Sequence, residues 1–317
     1  MPIIGIALSS EERTAPEMIR GAQRAEEAGF QAGWVSDHFH HLNNEQGQSP
    51  FVWSVLGAIS EVTEEMPWST AVTCPTIRTH PAIIAQAAAT TASMMPGRFR
   101  LGVGTGEALN EHIFGDPWPR PSIRLEMLEE AIEIMRELWT GEEMSHRGDY
   151  YEVDRARIYS LPDEPPPVLV SAFHGEALEL AARIGDGFVT TKPDGESRKR
   201  YRELGGKGPT QSAFKSSYGP DKEESLRTAH RLWANEQLGG NLAQVLPTPE
   251  QFEAAAELVT PEMVAEKVPC GPDPADHIAK LQEYVDAGFD EIYVGHIGPN
   301  HDEFIDFYAR EVLPQFA

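Results

Sequence analysis

Positive charge is what this sequence has least of. Its 317 residues carry 26 Lys and Arg against 50 Asp and Glu, a formal net charge of -24. No lysine occurs before Lys192. Such a surface repels the phosphates of nucleic acid and of anionic membrane, so neither is an expected partner. Acidic, lysine-poor chains also suit a high-salt cytoplasm, where a carboxylate-covered surface stays hydrated. Cysteine is nearly absent. Cys74 and Cys270 can form neither a disulfide scaffold nor a cysteine-rich metal site, and they read as buried thiols. A signal peptide and an apolar run long enough to span a bilayer are also missing, so the expectation is a soluble, cytoplasmic protein.

Short apolar strands alternate instead with amphipathic helices. Strands are expected at 3–8, 33–35, 69–73, 99–103, 168–171, 187–190, 213–217 and 291–294. Helices are expected at 16–28, 51–62, 81–95, 120–139, 175–184 and 302–313. Residues 148–153 alternate like a small hairpin, and the stretch between about 192 and 274 is poorly patterned. No repeat, low-complexity tract or linker divides the chain. Regular βα alternation over this length predicts an α/β fold, a single (β/α)8 TIM barrel domain over 1–317, with an open doubly wound sheet as the alternative.

The most informative stretch is Leu101-Gly-Val-Gly-Thr-Gly-Glu-Ala-Leu-Asn-Glu111. Gly102, Gly104 and Gly106 end a strand and let the backbone approach a flat or anionic ligand closely. Glu107, directly behind them, is a candidate proton donor or acceptor. A Rossmann turn is disfavoured, because Glu107 follows Gly106 and no clear second strand comes next. A loop that merely turns a corner is the plain alternative.

In a barrel of this kind the chemistry lies where strands end. Polar residues follow successive predicted strands: Glu11, then Ser36-Asp37-His38, then Thr73-Cys74-Pro75-Thr76, then Glu107 and Asn110. Ser171-Ala172-Phe173-His174-Gly175 and Thr190-Thr191-Lys192 continue the series. His38 suits proton transfer near neutral pH, and Asp37 suits fixing loop or cofactor geometry. Glu11 could merely cap the helix that follows. His38, His40 and His41, with His174 and His296, also resemble the metal cluster of a barrel hydrolase, a second reading of the site. Arg198-Lys199-Arg200 is either a solvated helix face or an anion subsite. Tyr150, Tyr151 and Trp118 read as packing.

Several segments together resemble a known group. They are Ser36-Asp-His-Phe39, Pro75-Thr76 with Pro81-Ala-Ile-Ile-Ala-Gln86, the segment from Leu101 to Glu111, Gly148-Asp-Tyr-Tyr151 and Gly185-Asp-Gly-Phe188. They resemble the coenzyme F420-dependent glucose-6-phosphate dehydrogenase group of the luciferase-like barrels. The resemblance implies a homodimeric barrel with insertions that binds coenzyme F420 and a small-molecule substrate and transfers hydride between a hydroxyl carbon and the deazaflavin. It implies a bulge with a non-proline cis peptide near Ala71 and Val72. Asp37, Thr73 and the backbone of Gly104, Thr105, Gly106 and Asn110 would hold the ring. The loop Ser171, Ala172, Phe173, His174 and Gly175 would hold the phosphate tail. His38 would take the substrate proton, Glu107 would serve the ring nitrogen, and Glu11 would orient the reacting groups. Leu42, Thr191 and Lys192 fall at substrate positions. Leu42 stands where the group has Trp, and its phosphate-gripping basic residues are not evident, which favours an uncharged alcohol as much as a sugar phosphate. An FMN-dependent luciferase-like monooxygenase and a barrel that binds flavin without turnover are the nearest alternatives.

Overall fold

The computed structural model describes residues 1–173 and 175–316. Strand and helix alternate at first: β1 (Ile3–Leu8), α1 (Ala15–Glu27), β2 (Gly33–Val35), α2 (Val52–Val62), β3 (Trp68–Thr70), α3 (Pro81–Met94), β4 (Phe99–Val103), α4 (Ala108–Glu111) and α5 (Pro121–Leu138). A hairpin of β5 (Met144–Arg147) and β6 (Glu152–Ala156) intervenes before β7 (Val168–Ser171), α6 (Gly175–Ile184), β8 (Gly187–Val189), α7 (Gly195–Glu203), β9 (Thr210–Ser216) and α8 (Lys222–Trp233). Short helices α9 (Leu242–Val245), α10 (Pro249–Ala256) and α11 (Pro261–Ala265) precede α12 (Pro274–Asp286), β10 (Glu291–His296) and α13 (His301–Phe307).

Eight parallel strands close in the order β1-β2-β3-β4-β7-β8-β9-β10. This is the expected (β/α)8 barrel, with the hairpin and α9–α11 as its insertions. The helix starts have local causes. Glu17 accepts from the Thr14 backbone N–H at 2.9 Å, and the His80 ring accepts from the Ala82 N–H at 3.1 Å. Thr248, Thr260 and Asp273 each accept a backbone N–H in front of Pro249, Pro261 and Pro274.

The lower barrel is filled rather than open. Trp34 stacks on Tyr293 with ring centroids 4.3 Å apart and donates to Gln211 at 3.0 Å. Gln211 donates to Glu291 at 2.7 Å, and Glu291 also pairs with Arg100 across the bottom. A packed plug leaves the carboxyl ends of the strands as the place for a ligand. A second apolar cluster caps one side of that mouth: Leu232, Trp233, Phe252, Val259 and Val264 meet Leu42 and Leu109 from the β2 and β4 loops. Among the described residues no helix is long and apolar enough to cross a membrane.

Some boundaries differ from the sequence expectations. The third strand is shorter than 69–73: its ladder stops at Thr70, and Thr73 rejoins as a single bridge to Val103. Residues 148–151 are the turn of the hairpin rather than its strands. Glu130 gathers the backbone N–H groups of Asp149, Tyr150 and Tyr151 there. The final helix is α-helical only to Phe307, then widens to a π turn over Tyr308–Val312.

Candidate active site

The end of β1 and the end of β2 bring Glu11 and His38 together. Glu11 is 3% exposed, and its Oε2 accepts from the hydroxyls of Ser9 at 2.5 Å and Ser36 at 3.0 Å. Its Oε1 lies 3.0 Å from Nδ1 of His38. The other ring nitrogen, Nε2, lies 4.0 Å from Oε2 of Glu107 at the end of β4. Ser49 fixes the loop by donating to the His38 carbonyl at 2.7 Å. A carboxylate against Nδ1 favours the tautomer with its proton there, leaving the Nε2 lone pair toward the mouth.

The two carboxyls flanking His38 live in opposite surroundings. Burial alone would raise Glu11, but His38, then Lys215, and the Ser9 hydroxyl outweigh it and hold the carboxyl below its ordinary value. Glu107 is pushed up by burial. His38 pulls it back in part, and the charge of Glu11 adds to the rise. Its nearest side-chain donor, Asn110 Nδ2, is 3.5 Å away. One carboxyl is therefore kept ionised beside the imidazole, while the other is biased toward holding a proton. Such separation suits a site in which one carboxyl orients a base and the other acts as an acid.

Asp37 is a brace. It accepts from Thr73 Oγ1 at 2.8 Å and from Arg78 at 2.9 Å, and Arg78 reaches Glu111 as well, its backbone N–H donating at 2.7 Å. Asn110 Oδ1 accepts from the N–H groups of Phe39 and His40 at 2.8 and 3.1 Å. The loops after β2, β3 and β4 are thus tied into one body. The peptide between Ala71 and Val72 is cis, as the resemblance implied.

The glycine shelf has a reason within the protein itself. A Cβ on Gly102 would lie 2.0 Å from the Thr70 carbonyl oxygen, and one on Gly104 would lie 2.8 Å from Val72. Gly106 has φ +78°, and a Cβ there would meet the Cys74 sulfur at 2.5 Å. These glycines let β4 and its loop close against the Ala71–Val72 bulge. Thr105 is half-buried beside them. The result is a floor of small and apolar groups with the Glu107 carboxyl at its edge, which fits a flat ring bearing a polar nitrogen. Further round, Ala172 is anchored by its N–H to the Val189 carbonyl, and the Phe173 carbonyl accepts from Ser197. Ser171 is half-buried, and Gly175 has φ +60° with nothing within 4 Å of its Cβ position. Open backbone at a helix start suits a phosphate. His174 lies outside the described residues.

The remaining predicted positions divide. Leu42 is buried in the apolar cap with Leu109 and Phe252. Thr191 and Lys192 are exposed, and the Lys192 ammonium lies 5.4 Å from the Phe173 ring. Lys199 and Arg200 face solvent near Glu203, the solvated-face reading rather than the anion subsite. Tyr151 donates to the Thr76 carbonyl at 2.9 Å, and Trp118 lies under Arg124, so both pack as expected. The histidines of the metal reading point apart. His40 Nδ1 lies 2.8 Å from the Leu109 carbonyl oxygen, His41 meets Asn44, and His296 stacks on Phe304.

Three charged groups at the mouth were not singled out in the sequence: Arg78, Glu111 as its second partner, and Lys215. Lys215 was detectable. It falls within the predicted strand 213–217, and alternation puts it on the same face as Ala213, at the strand end where chemistry collects.

Known proteins share this fold and much of this sequence. The luciferase-like monooxygenase family model matches residues 4–291. An F420-dependent glucose-6-phosphate dehydrogenase from Nakamurella multipartita is 34% identical over 98% of this chain and 95% of its own. Its counterpart from Intrasporangium calvum is 35% identical over 98% of both chains. An F420-dependent secondary alcohol dehydrogenase solved with an F420-acetone adduct superposes with a TM-score of 0.91 at 28% identity, over 98% of both chains. The chain belongs to the luciferase-like monooxygenase family, in the group that holds the F420-dependent glucose-6-phosphate dehydrogenases.

Proposed function

We propose that this F420-dependent oxidoreductase takes its hydride from a small uncharged secondary alcohol, with His38 as the proton acceptor. The observation that carries the reading is His38 held between Glu11 at 3.0 Å and Glu107 at 4.0 Å in the barrel mouth. Coenzyme F420 supplies a two-electron hydride acceptor when bound. Glu11 holds the His38 ring, and Nε2 receives the hydroxyl proton as the carbinol C–H bond is broken. Glu107, biased toward its protonated form, presents an O–H to the ring-nitrogen side of the shelf. Ala71, Val72 and Gly104 would lie against the ring, and the braced loops with Asp37, Thr73 and Asn110 keep that floor fixed. Backbone at Ser171, Phe173 and Gly175 would take the tail phosphate, with Ala172 holding the loop through its N–H to Val189.

The charge of the mouth supports an uncharged substrate. Arg78 is committed to Asp37 and Glu111, and Lys215 to Glu236 at 3.2 Å. Arg13 donates to the carbonyls of His296 and Gly298, and Arg124 to Gly106 and Gln244. Lys192 is exposed, and its charge already acts on Asp194. A sugar phosphate would meet carboxylates and occupied cations. Leu42 and its apolar cap instead offer a surface for alkyl groups. Steady-state reduction of F420 by propan-2-ol and by glucose 6-phosphate tests this. The expected kcat/KM favours the uncharged alcohol by about 100-fold or more, a gap of ~3 kcal/mol. Preference for the phosphate would overturn it.

A further inference from the structure

Among the described residues Lys215 is the one lysine on a barrel strand, and it lies at the mouth end of β9. It lies on β9 in register with Gly295 of β10, which is in register with Ala7 of β1. Gly295 puts no side chain between them. A Cβ built there would touch Lys215 Cγ at 3.6 Å and Ala7 Cβ at 3.7 Å. The lysine stem therefore lies across β10 toward the end of β1, where Glu11 and Glu12 stand. Its ammonium is 3.7 Å from the centre of the Trp233 ring and 3.2 Å from Glu236. Trp233 in turn donates its indole N–H to Glu12, whose other oxygen accepts from the Gly298 N–H at 2.8 Å.

This arrangement answers a question the site leaves open. Glu11 is buried with one oxygen filled by two hydroxyls and the other facing a histidine that is neutral before it takes a proton. A buried carboxylate needs a countercharge. The charged side chains acting on Glu11 are His38 and Lys215. Only Lys215 carries its charge throughout the cycle.

We propose that Lys215 is a positioning residue for the hydride transfer: its permanent charge, aimed by Trp233 and Glu236, balances the Glu11 carboxylate that orients His38. The groups that set this balance are Glu11, Glu12 and Arg13 after β1, His38 after β2 and Glu107 after β4. Lys215 comes from β9, and Glu236 from the turn after α8. With Lys215 present, part of the Glu11 charge is cancelled at His38. Without it, the imidazole faces the full carboxylate charge and keeps its proton to higher pH. The inference rests on His38 as the proton acceptor.

The test is the pH profile of kcat/KM for alcohol oxidation in the holoenzyme, together with the Kd for F420. Lys215→Met should move the acid limb up by roughly one pH unit, the effect of a unit charge several ångströms away in a partly wet site. Glu236→Gln, which leaves the ammonium less compensated, should move it down. Lys215→Arg should restore the wild-type limb. F420 affinity should stay within about threefold in all three. If Lys215→Met does not fold, the downward shift in Glu236→Gln and the restored limb in Lys215→Arg still decide. An acid limb that is present but unmoved in folded Lys215→Met, or a Glu236→Gln shift that is absent or upward, overturns the inference alone. A wild-type profile with no acid limb overturns the assignment of His38, and this inference with it.

Discussion

His38 has a carboxyl on either side, and the two are not equivalent. Glu11 is held ionised by its partners, while Glu107 is raised by burial. The proposed reaction gives them three roles: Glu11 orients, His38 accepts a proton and Glu107 donates a hydrogen bond. Replacing His38 by Ala removes the acceptor, and Glu107→Gln removes the acid proton while keeping its shape. Each should lower kcat by about 10²–10⁴-fold with the F420 Kd held within about threefold. Near-normal turnover in either variant would refute its role. These three residues were legible because each stands directly after a strand of clear period. Lys215 was detectable as a strand-end residue, but its role was not. Its meaning depends on Gly295 next door, which only barrel closure reveals, and on Glu236, which is remote in sequence.

The loops after β2, β3 and β4 form the working element, and Arg78 is the clasp. Its side chain is 8% exposed, with Asp37 and Glu111 on it at 2.9 and 3.5 Å. Arg78→Met would leave two buried carboxylates unpaired, at a cost of about 3–5 kcal/mol. Urea unfolding should show that loss, and F420 affinity should fall with it because Asp37 and Thr73 lose their frame. A loss below about 1 kcal/mol would mean that the clasp is not structural. The eight strands and helices α1, α2, α3, α5, α6 and α13 were readable from alternation and apolar spacing. Helices α7, α8 and α12 were not, and nor was the α9–α11 insertion, whose helices are too short to show a period. The starts of α10, α11 and α12 were nonetheless written as Thr248-Pro249, Thr260-Pro261 and Asp273-Pro274. The true end of β3 was hidden because Ala71 and Val72 read as strand residues by composition. Nothing local signals that the ladder stops at Thr70.

At the scale of the molecule, a barrel plugged in its lower half by Trp34, Gln211, Glu291 and Tyr293 leaves the shelf and His38 at the carboxyl ends of its strands. The acid-rich composition reaches into that mouth, where the buried cations are spent on carboxylates and carbonyls. The cofactor itself was thus legible in the segments that carry the resemblance, Leu101 to Glu111 among them. The substrate half required the pairings of Lys215, Arg78 and Arg124, which no sequence pattern gives. The central claim is that the shelf takes a deazaflavin. Equilibrium titration of the apoprotein with F420, FMN and NADP tests it most directly. F420 should bind about 100-fold more tightly than either of the others, a difference of ~3 kcal/mol. Tight binding of FMN with weak or no binding of F420 would contradict the account.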